Sequence, residues 1–235
     1  MVESFFFSTK QIHPNDSKSD QMMLISGPPS SGKTSLLFQF AFNSALESSA
    51  NVVFICNKRR LETKPPYLSQ GIDPASDVFQ QIQMKYLEDD EGIKKYFAAF
   101  HLHETLPTAV IIDDFGEFFD DRHCQQRYGN ARGRDLAMVR TLALCWDAMI
   151  HANERLGSGG PCRLLLSDTH HGESPRLFYI YKRWIPSIFI IKGDGSGSFL
   201  LKSSRSSSNR DFGGRIAAKY SISLQYLVLE ELIEE

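Results

Sequence analysis

Short, wholly apolar runs recur along this chain, and between them lie longer stretches whose apolar residues fall at helical spacing. MMLIS (22–26) predicts a strand buried on both faces, and TSLLFQFAFNSAL (34–46) is apolar almost all round, as suits a helix packed on a sheet. VVFIC (52–56) predicts the second strand. Asp73 and Pro74 then offer an N-cap acid and a first-turn proline, so a helix is expected beyond them with Val78, Ile82 and Tyr86 turned inward. A further helix should bury Ile93, Phe97 and Phe100. TAVIID (108–113) predicts the third strand, and the polar, arginine-rich segment 117–134 reads as a loop. A long helix is expected from about Asp135 to Leu156, with Leu136, Val139, Leu142, Ala143, Trp146 and Ile150 on one face and Gly157, Gly159 and Gly160 ending it. RLLLS (163–167) predicts the fourth strand, and IFIIK (188–192), GDGSGS and FLLK together predict a hairpin. Ile222, Leu224, Tyr226 and Val228 alternate as in one last strand before an acidic tail.

Strands that alternate with helices imply an α/β fold: a mainly parallel central sheet, helices on both faces, and a C-terminal antiparallel hairpin extension. Residues 1–20, with Pro14, Asn15 and Asp16, read as a flexible N-terminal arm, and 21–235 as a single domain. Within the arm, Phe5-Phe6-Phe7 is open to three readings: docking on a neighbouring subunit, packing on its own chain, or disorder.

Composition narrows the function. A net charge of −2 means that any nucleic-acid contact must come from a local basic surface. Cys56, Cys124, Cys145 and Cys162 form no CxxC pair, which argues against a zinc ribbon and fits buried, reduced thiols. His170-His171 lacks a third ligand at a recognisable spacing. No apolar run reaches membrane-spanning length, and the start of the chain lacks the basic lead and apolar core of a signal peptide.

The chemistry concentrates at Gly27-Pro28-Pro29-Ser30-Ser31-Gly32-Lys33-Thr34, a full match to G-x-x-x-x-G-K-[ST] set between a predicted strand and a predicted helix. Glycines let backbone N–H groups turn inward, and the helix N-terminus adds partial positive charge, so main chain can hold a phosphate. Residues 27–34 and Ser35 are therefore the candidate ATP cradle, with Lys33 reaching the β- and γ-phosphates and Thr34 ligating Mg²⁺. Asp113 ends an apolar strand where a Mg²⁺-linked carboxylate belongs. It is preferred to its neighbour Asp114, because alternation along a strand lets only one of the two face the metal. At the tip of the second strand, Asn57 and Lys58 offer no group that accepts a proton from water at neutral pH. At the tip of the fourth, Ser167, Asp168 and Thr169 fit a γ-phosphate sensor or an ordinary loop cap equally well.

GPPSSGKTSLLF, HETLPTAVIIDDFGEF and LLLSDT, with IDPASDVFQQIQMKY and YKRWIP in the same order, resemble a RecA-like P-loop NTPase core. The nearer resemblance is to a divergent branch, the ATPase-like subunits that partner SWIM-type zinc-finger proteins in Shu complexes of homologous recombination. That resemblance covers most of the chain. It implies ATP and Mg²⁺ as cofactors, single-stranded DNA binding, support of recombinase filaments, recombinase or paralogue partners, and residence in the nucleus. It also implies catalytic roles for Lys33 and Asp113. Recombinases carry a glutamate after the second strand and a glutamine after the fourth, where this chain has Asn57 or Lys58 and then Thr169. Fast hydrolysis is therefore not expected, although weak ATPase activity is. In RecA-type proteins the loops after the third and fourth strands face DNA. The first holds Arg122, Arg127, Tyr128, Arg132 and Arg134 as DNA candidates, with His123 among them. Lys202, Arg205, Arg210 and Arg215, around a serine-rich stretch, form a second set. Two other functions stay open: a non-hydrolysing scaffold stabilised by nucleotide, and a small-molecule P-loop kinase.

Overall fold

The computed structural model describes residues 2–7, 21–48, 51–157, 160–170, 172, 177–204 and 216–234. Among them, nine strands form one sheet: β1 (Met22–Gly27), β2 (Val52–Cys56), β3 (Ile82–Tyr86), β4 (Ala109–Ile112), β5 (Arg163–Thr169), β6 (Ser187–Gly193), β7 (Ser198–Ser203), β8 (Ile216–Ser223) and β9 (Tyr226–Glu234). Their order is β3-β2-β4-β5-β1-β6-β7-β8-β9. The strands from β3 to β6 run parallel, and β6 to β9 pair antiparallel. The expected architecture, a parallel core with an antiparallel C-terminal extension, is the one observed.

Every residue of β1, β2 and β4 is buried, so both faces of the sheet need a cover. Alternation sorts the side chains. Leu24, Ile55, Val110, Ile112, Leu164 and Leu166 meet the side covered by α3 (Asp90–Ala98), α6 (Ala131–Leu156) and α7 (Phe178–Trp184). Met23, Ile25, Phe54, Ile111 and Leu165 meet α1 (Lys33–Ser48) through Leu36, Leu37, Phe40, Ala41 and Ala45. The remaining helices are short: α2 (Lys58–Thr63), α4 (Glu117–Asp120) and α5 (Arg122–Tyr128).

Five expectations need correction. Residues 2–7 are not a loose arm: Val2–Phe5 form a 3-10 turn, with Phe5 0% exposed against the rings of Phe40 and Phe189 and Phe6 beside Tyr220. The phenylalanine cluster thus packs on its own chain, Phe7 alone being exposed at 51%, and residues 8–20 lie outside the described set. Second, the helix expected beyond Pro74 is a 3-10 turn (Asp77–Gln81) running into β3, which pairs in register with β2. Ile82, Met84 and Tyr86 alternate, and the ladder available on β2 outweighs the four-residue spacing that suggested a helix.

Third, 117–134 is not a loop. Asp121 caps α5 by accepting from the His123 N–H at 2.8 Å, Gly129 ends it at φ 57°, and Asn130 caps α6 by accepting from the Gly133 N–H at 2.8 Å. Fourth, α6 buries its expected face only in part: Leu142 is buried and Val139 and Trp146 pack against the core as expected. Ala137, Met138, Thr141, Leu142, Cys145, Ala148, Met149 and Ala152 are buried, whereas Leu136 and Ile150 are exposed. The small residues let the helix lie close to the sheet. Fifth, the last strand is a hairpin, turning at Leu224 (φ 51°) and Gln225 (φ 64°), a geometry that Leu-Gln does not advertise.

The fit of Phe5 can be tested directly. Phe5→Ala should lower the free energy of urea unfolding by about 2–4 kcal/mol, somewhat less than an internal core site because a chain end relaxes easily. Phe7→Ala should stay within about 0.5 kcal/mol of the wild-type chain.

Candidate nucleotide-binding site

The strand β1 ends at Gly27 and α1 begins at Lys33, so residues 28–32 form the turn between them. Two glycines are required there. A Cβ on Gly27 would lie 2.8 Å from both Ile191 Cβ and Ser31 Oγ, and one on Gly32 (φ 79°) would lie 2.8 Å from Ile222 Cδ1. Ser30 adopts the left-handed conformation at φ 60° without being glycine. The Ser31 hydroxyl donates to the Pro28 carbonyl at 2.8 Å, and the Tyr220 hydroxyl donates to the Ser31 carbonyl at 2.6 Å. Nothing in the sequence pointed to Tyr220, because only the sheet order carries β8 to this loop.

Lys33 is 6% exposed, and its Nζ donates to the carbonyls of Gly27 at 3.3 Å and Pro28 at 2.9 Å. Burial lowers its pKa, opposed by the charges of Asp114, Asp113 and Asp168. The Thr34 hydroxyl donates to Asp113 Oδ2 at 2.9 Å, and the Ser167 hydroxyl donates to Asp113 Oδ1 at 2.7 Å. Burial pushes the Asp113 carboxyl up to about 6; neighbouring Asp114 adds to the rise, while the two hydroxyls and Lys33 pull the other way. Asp114 turns elsewhere at φ 50°. Its N–H donates to Ser167 Oγ at 2.8 Å, and its carboxylate accepts from Thr169 Oγ1 at 2.6 Å and pairs with Arg60 Nη1 at 3.2 Å. Of the two adjacent acids, Asp113 is the one that meets Thr34. The Ser35 side chain faces away from the loop, accepting from the Tyr67 N–H at 2.9 Å.

At the tip of β5, Ser167 and Thr169 orient the two acids, while Asp168 is buried. Asp168 accepts from the Tyr181 hydroxyl at 2.9 Å and the Thr169 N–H at 3.0 Å. A Cβ on Gly116 would sit 2.4 Å from its Oδ1. Burial raises its carboxyl to about 6. At the tip of β2, Asn57 caps α2 by accepting from the Arg60 N–H at 3.3 Å, and Lys58 pairs with Glu62 at 3.8 Å. A cleft of about 300 Å³ opens beside the tips of β2 and β4, lined in part by Asn57, Arg60, Glu88, Asp113, Asp114 and Glu117.

The basic candidates divide. Arg127 donates to the fully buried Asp90 and to Asp89, and Lys94 bonds both Asp90 and the Tyr128 hydroxyl. Arg134 Nε lies 3.8 Å from Asp120. These residues tie α5 and α6 to the body of the domain, leaving Arg122 and Arg132 exposed. His170 is buried, with Nδ1 2.8 Å from the Ser26 hydroxyl. Arg205, Arg210 and Arg215 lie outside the described residues, and Lys202 is in β7. Among the described residues, no three His, Cys, Asp or Glu side chains are grouped to hold a metal unaided, and all four cysteines are free and buried.

No family model matches the chain. It is 26% identical over 146 residues to the ATPase SWSAP1 of Homo sapiens, a match that takes in 62% of this chain and 58% of that protein. In structure it is similar to a KaiC-like protein of the hyperthermophilic archaeon Pyrococcus horikoshii, with a TM-score of 0.61, 14% identity, and coverage of 90% of this chain and 89% of the other. That likeness fixes the fold as a RecA-like core, a mainly parallel sheet with an antiparallel C-terminal extension.

Asp168 provides a test with a defined sign. Burial raises its carboxyl from 3.8 to about 6, so the native state binds the proton more tightly and the buried charge destabilises progressively from about pH 4, in full above pH 6. Asp168→Asn should therefore stabilise the chain by about 1–3 kcal/mol at pH 7.5, with the gain shrinking to nothing near pH 4. Urea unfolding at the two pH values measures both effects.

Proposed function

We propose that this chain, a RecA-like P-loop ATPase by fold, is an ATP-binding accessory subunit of homologous recombination. It acts with a SWIM-type zinc-finger partner on single-stranded DNA to support recombinase filaments, in the nucleus. The single observation that carries the nucleotide part is the convergence of Lys33, Thr34 and Asp113, with Thr34 Oγ1 2.9 Å from Asp113 Oδ2. The site fits ATP and Mg²⁺ on its own chemistry. Main chain stripped of side chains at Gly27 and Gly32 gives the phosphates room, and the Lys33 ammonium would exchange two backbone carbonyls for phosphate oxygens. The Thr34 hydroxyl and the Asp113 carboxylate are the groups that would hold the cation, which would supply charge neutralisation at the phosphates.

The recombination context and the partners rest on the sequence resemblance and on the relative described above. Slow turnover is supported by the tip of β2, where Asn57 is occupied in capping and Lys58 in an ion pair, so neither is placed to activate water. The same observation favours the second reading, a scaffold whose partner-binding surface is stabilised by nucleotide without hydrolysis. A small-molecule kinase fits least, because that strand tip offers an acceptor no carboxylate.

Nucleotide binding and DNA binding are tested separately. Lys33→Ala removes a charge-assisted contact worth about 1.5–3 kcal/mol, so ATP affinity should fall about ten- to a hundredfold in fluorescence titration. An unchanged affinity would refute the phosphate site. Single-strand binding by the chain with its co-purified partner should weaken steeply with salt, and Arg122→Ala or Arg132→Ala should each reduce the log–log salt slope by about 0.7. Arg127→Ala should instead lower stability, since it takes one of the two cationic partners from the buried Asp90 and leaves only Lys94.

A further inference from the structure

Arg60 occupies a position that the phosphate-loop description leaves unused. The strand β2 pairs in register with β4, Ile55 opposite Ile112, and the Asp113 N–H donates to the Ile55 carbonyl at 2.9 Å, so the two strand tips end side by side. Chain direction reverses at Asn57, whose cap starts α2 immediately, and Arg60 falls on the turn of that helix overhanging Asp113 and Asp114. Its Nη1 lies 3.2 Å from Asp114 and 3.6 Å from Glu117, on the wall of the cleft that also includes Asp113. Lys58 and Glu62, by contrast, pair with each other on the exposed side of the helix, and Lys58 lies 5.8 Å from the centre of the Tyr86 ring. Of the consecutive basic residues Lys58, Arg59 and Arg60, Arg60 is the one that lines the cleft.

Two features give this charge a purpose. Arg60 lines the same cleft wall as Asp113, the acid that accepts from Thr34 of the phosphate loop, so its charge stands beside the phosphate site. The ion pairs that hold Arg60 are also weak ones: its side chain is 49% exposed, and contacts of this kind are readily exchanged for a better anion. A terminal phosphate is such an anion, with more charge than either carboxylate and a geometry that the guanidinium fork matches in two bonds.

We propose that Arg60 is the γ-phosphate sensor of this site: its guanidinium leaves Asp114 and Glu117 for the terminal phosphate, and so makes the chain discriminate a nucleoside triphosphate from a diphosphate. The inference rests on the phosphate-site reading and assigns its specificity. A positive, phosphate-seeking group would then stand at the strand tip that in a fast hydrolase carries a water-activating acid. Asp114 and Glu117 act as the competitor that keeps Arg60 parked when no terminal phosphate is present.

The test compares dissociation constants for fluorescent ADP and a fluorescent non-hydrolysable triphosphate, each with Mg²⁺, on the full chain. Arg60→Ala should weaken the triphosphate about tenfold while leaving ADP within about twofold, and Arg60→Lys should fall between Arg60→Ala and the wild type. Glu117→Gln should tighten the triphosphate several-fold, and that gain should vanish when combined with Arg60→Ala. Equal losses for both nucleotides, no loss for either, or a Glu117→Gln gain that survives without Arg60 would each overturn the proposal. Failure of the wild-type chain to bind either nucleotide would bring down the phosphate site first and this inference with it. Urea unfolding of the nucleotide-free variants checks that they are folded.

Discussion

The donation from the Thr34 hydroxyl to Asp113 is the contact on which this structure turns. It joins the first turn of α1 to the end of β4, and the Ser167 hydroxyl on the intervening strand β5 closes the triangle from the other side. The sheet order β4-β5-β1 makes this possible, because parallel neighbours end at one edge and bring their carboxyl-terminal tips together. The charges there sustain one another. Burial disfavours both the Lys33 ammonium and the Asp113 carboxylate, and each is held charged partly by the other. Removing Lys33 or Asp113 takes part of its compensation from the other, so the site behaves as a coupled electrostatic unit and not as a set of independent residues.

The parts of the fold legible in the sequence were those in which a local pattern has one cheap solution. A fully apolar run such as VVFIC can only be a strand covered on both faces, and the P-loop glycines specify a turn with no room for side chains. Legibility failed where two patterns fit at once. Val78, Ile82 and Tyr86 recur every four residues, yet Ile82, Met84 and Tyr86 recur every two, and only the neighbouring β2 ladder decides between them. In α6 the large apolar residues were a guide only in part: Leu142 is buried and Val139 and Trp146 pack against the core, but Leu136 and Ile150 are exposed while Ala137, Cys145, Ala148 and Ala152 are buried. The hairpin at Leu224-Gln225 gave no turn signal, its positive φ angles being imposed by the pairing of β8 with β9.

The site was legible to the same degree. Lys33, Thr34 and Asp113 could be named from a motif and a strand end, but the work of Ser167 and Thr169 could not, because their bonds reach acids more than fifty residues away. Charge was the least readable quantity. The arginines of 117–134 look alike in sequence, yet Arg127 and Arg134 are tied to carboxylates of the same chain while Arg122 and Arg132 are exposed. A basic segment is therefore not a basic surface until its internal partners have been subtracted, and the subtraction here removes two of four arginines. What remains is sparse, in keeping with a chain of net charge −2.

The antiparallel extension completes the same constraint. The strand β8 is separated from β1 by two strands, yet Tyr220 donates to the Ser31 carbonyl and Ile222 fills the space that a Gly32 side chain would need. The sheet must therefore curl until its C-terminal strands lie over the loop. Phe6 and Phe199 pack on the ring of Tyr220, which fixes the direction of its hydroxyl. Phe5, seated beside Phe40 of α1 and Phe189 of β6, closes the same apolar layer. The N-terminal turn, the extension and the loop thus form one packed body. The backbone geometry that would hold a phosphate is supported by residues near both ends of the chain as well as by the bonds within the motif itself.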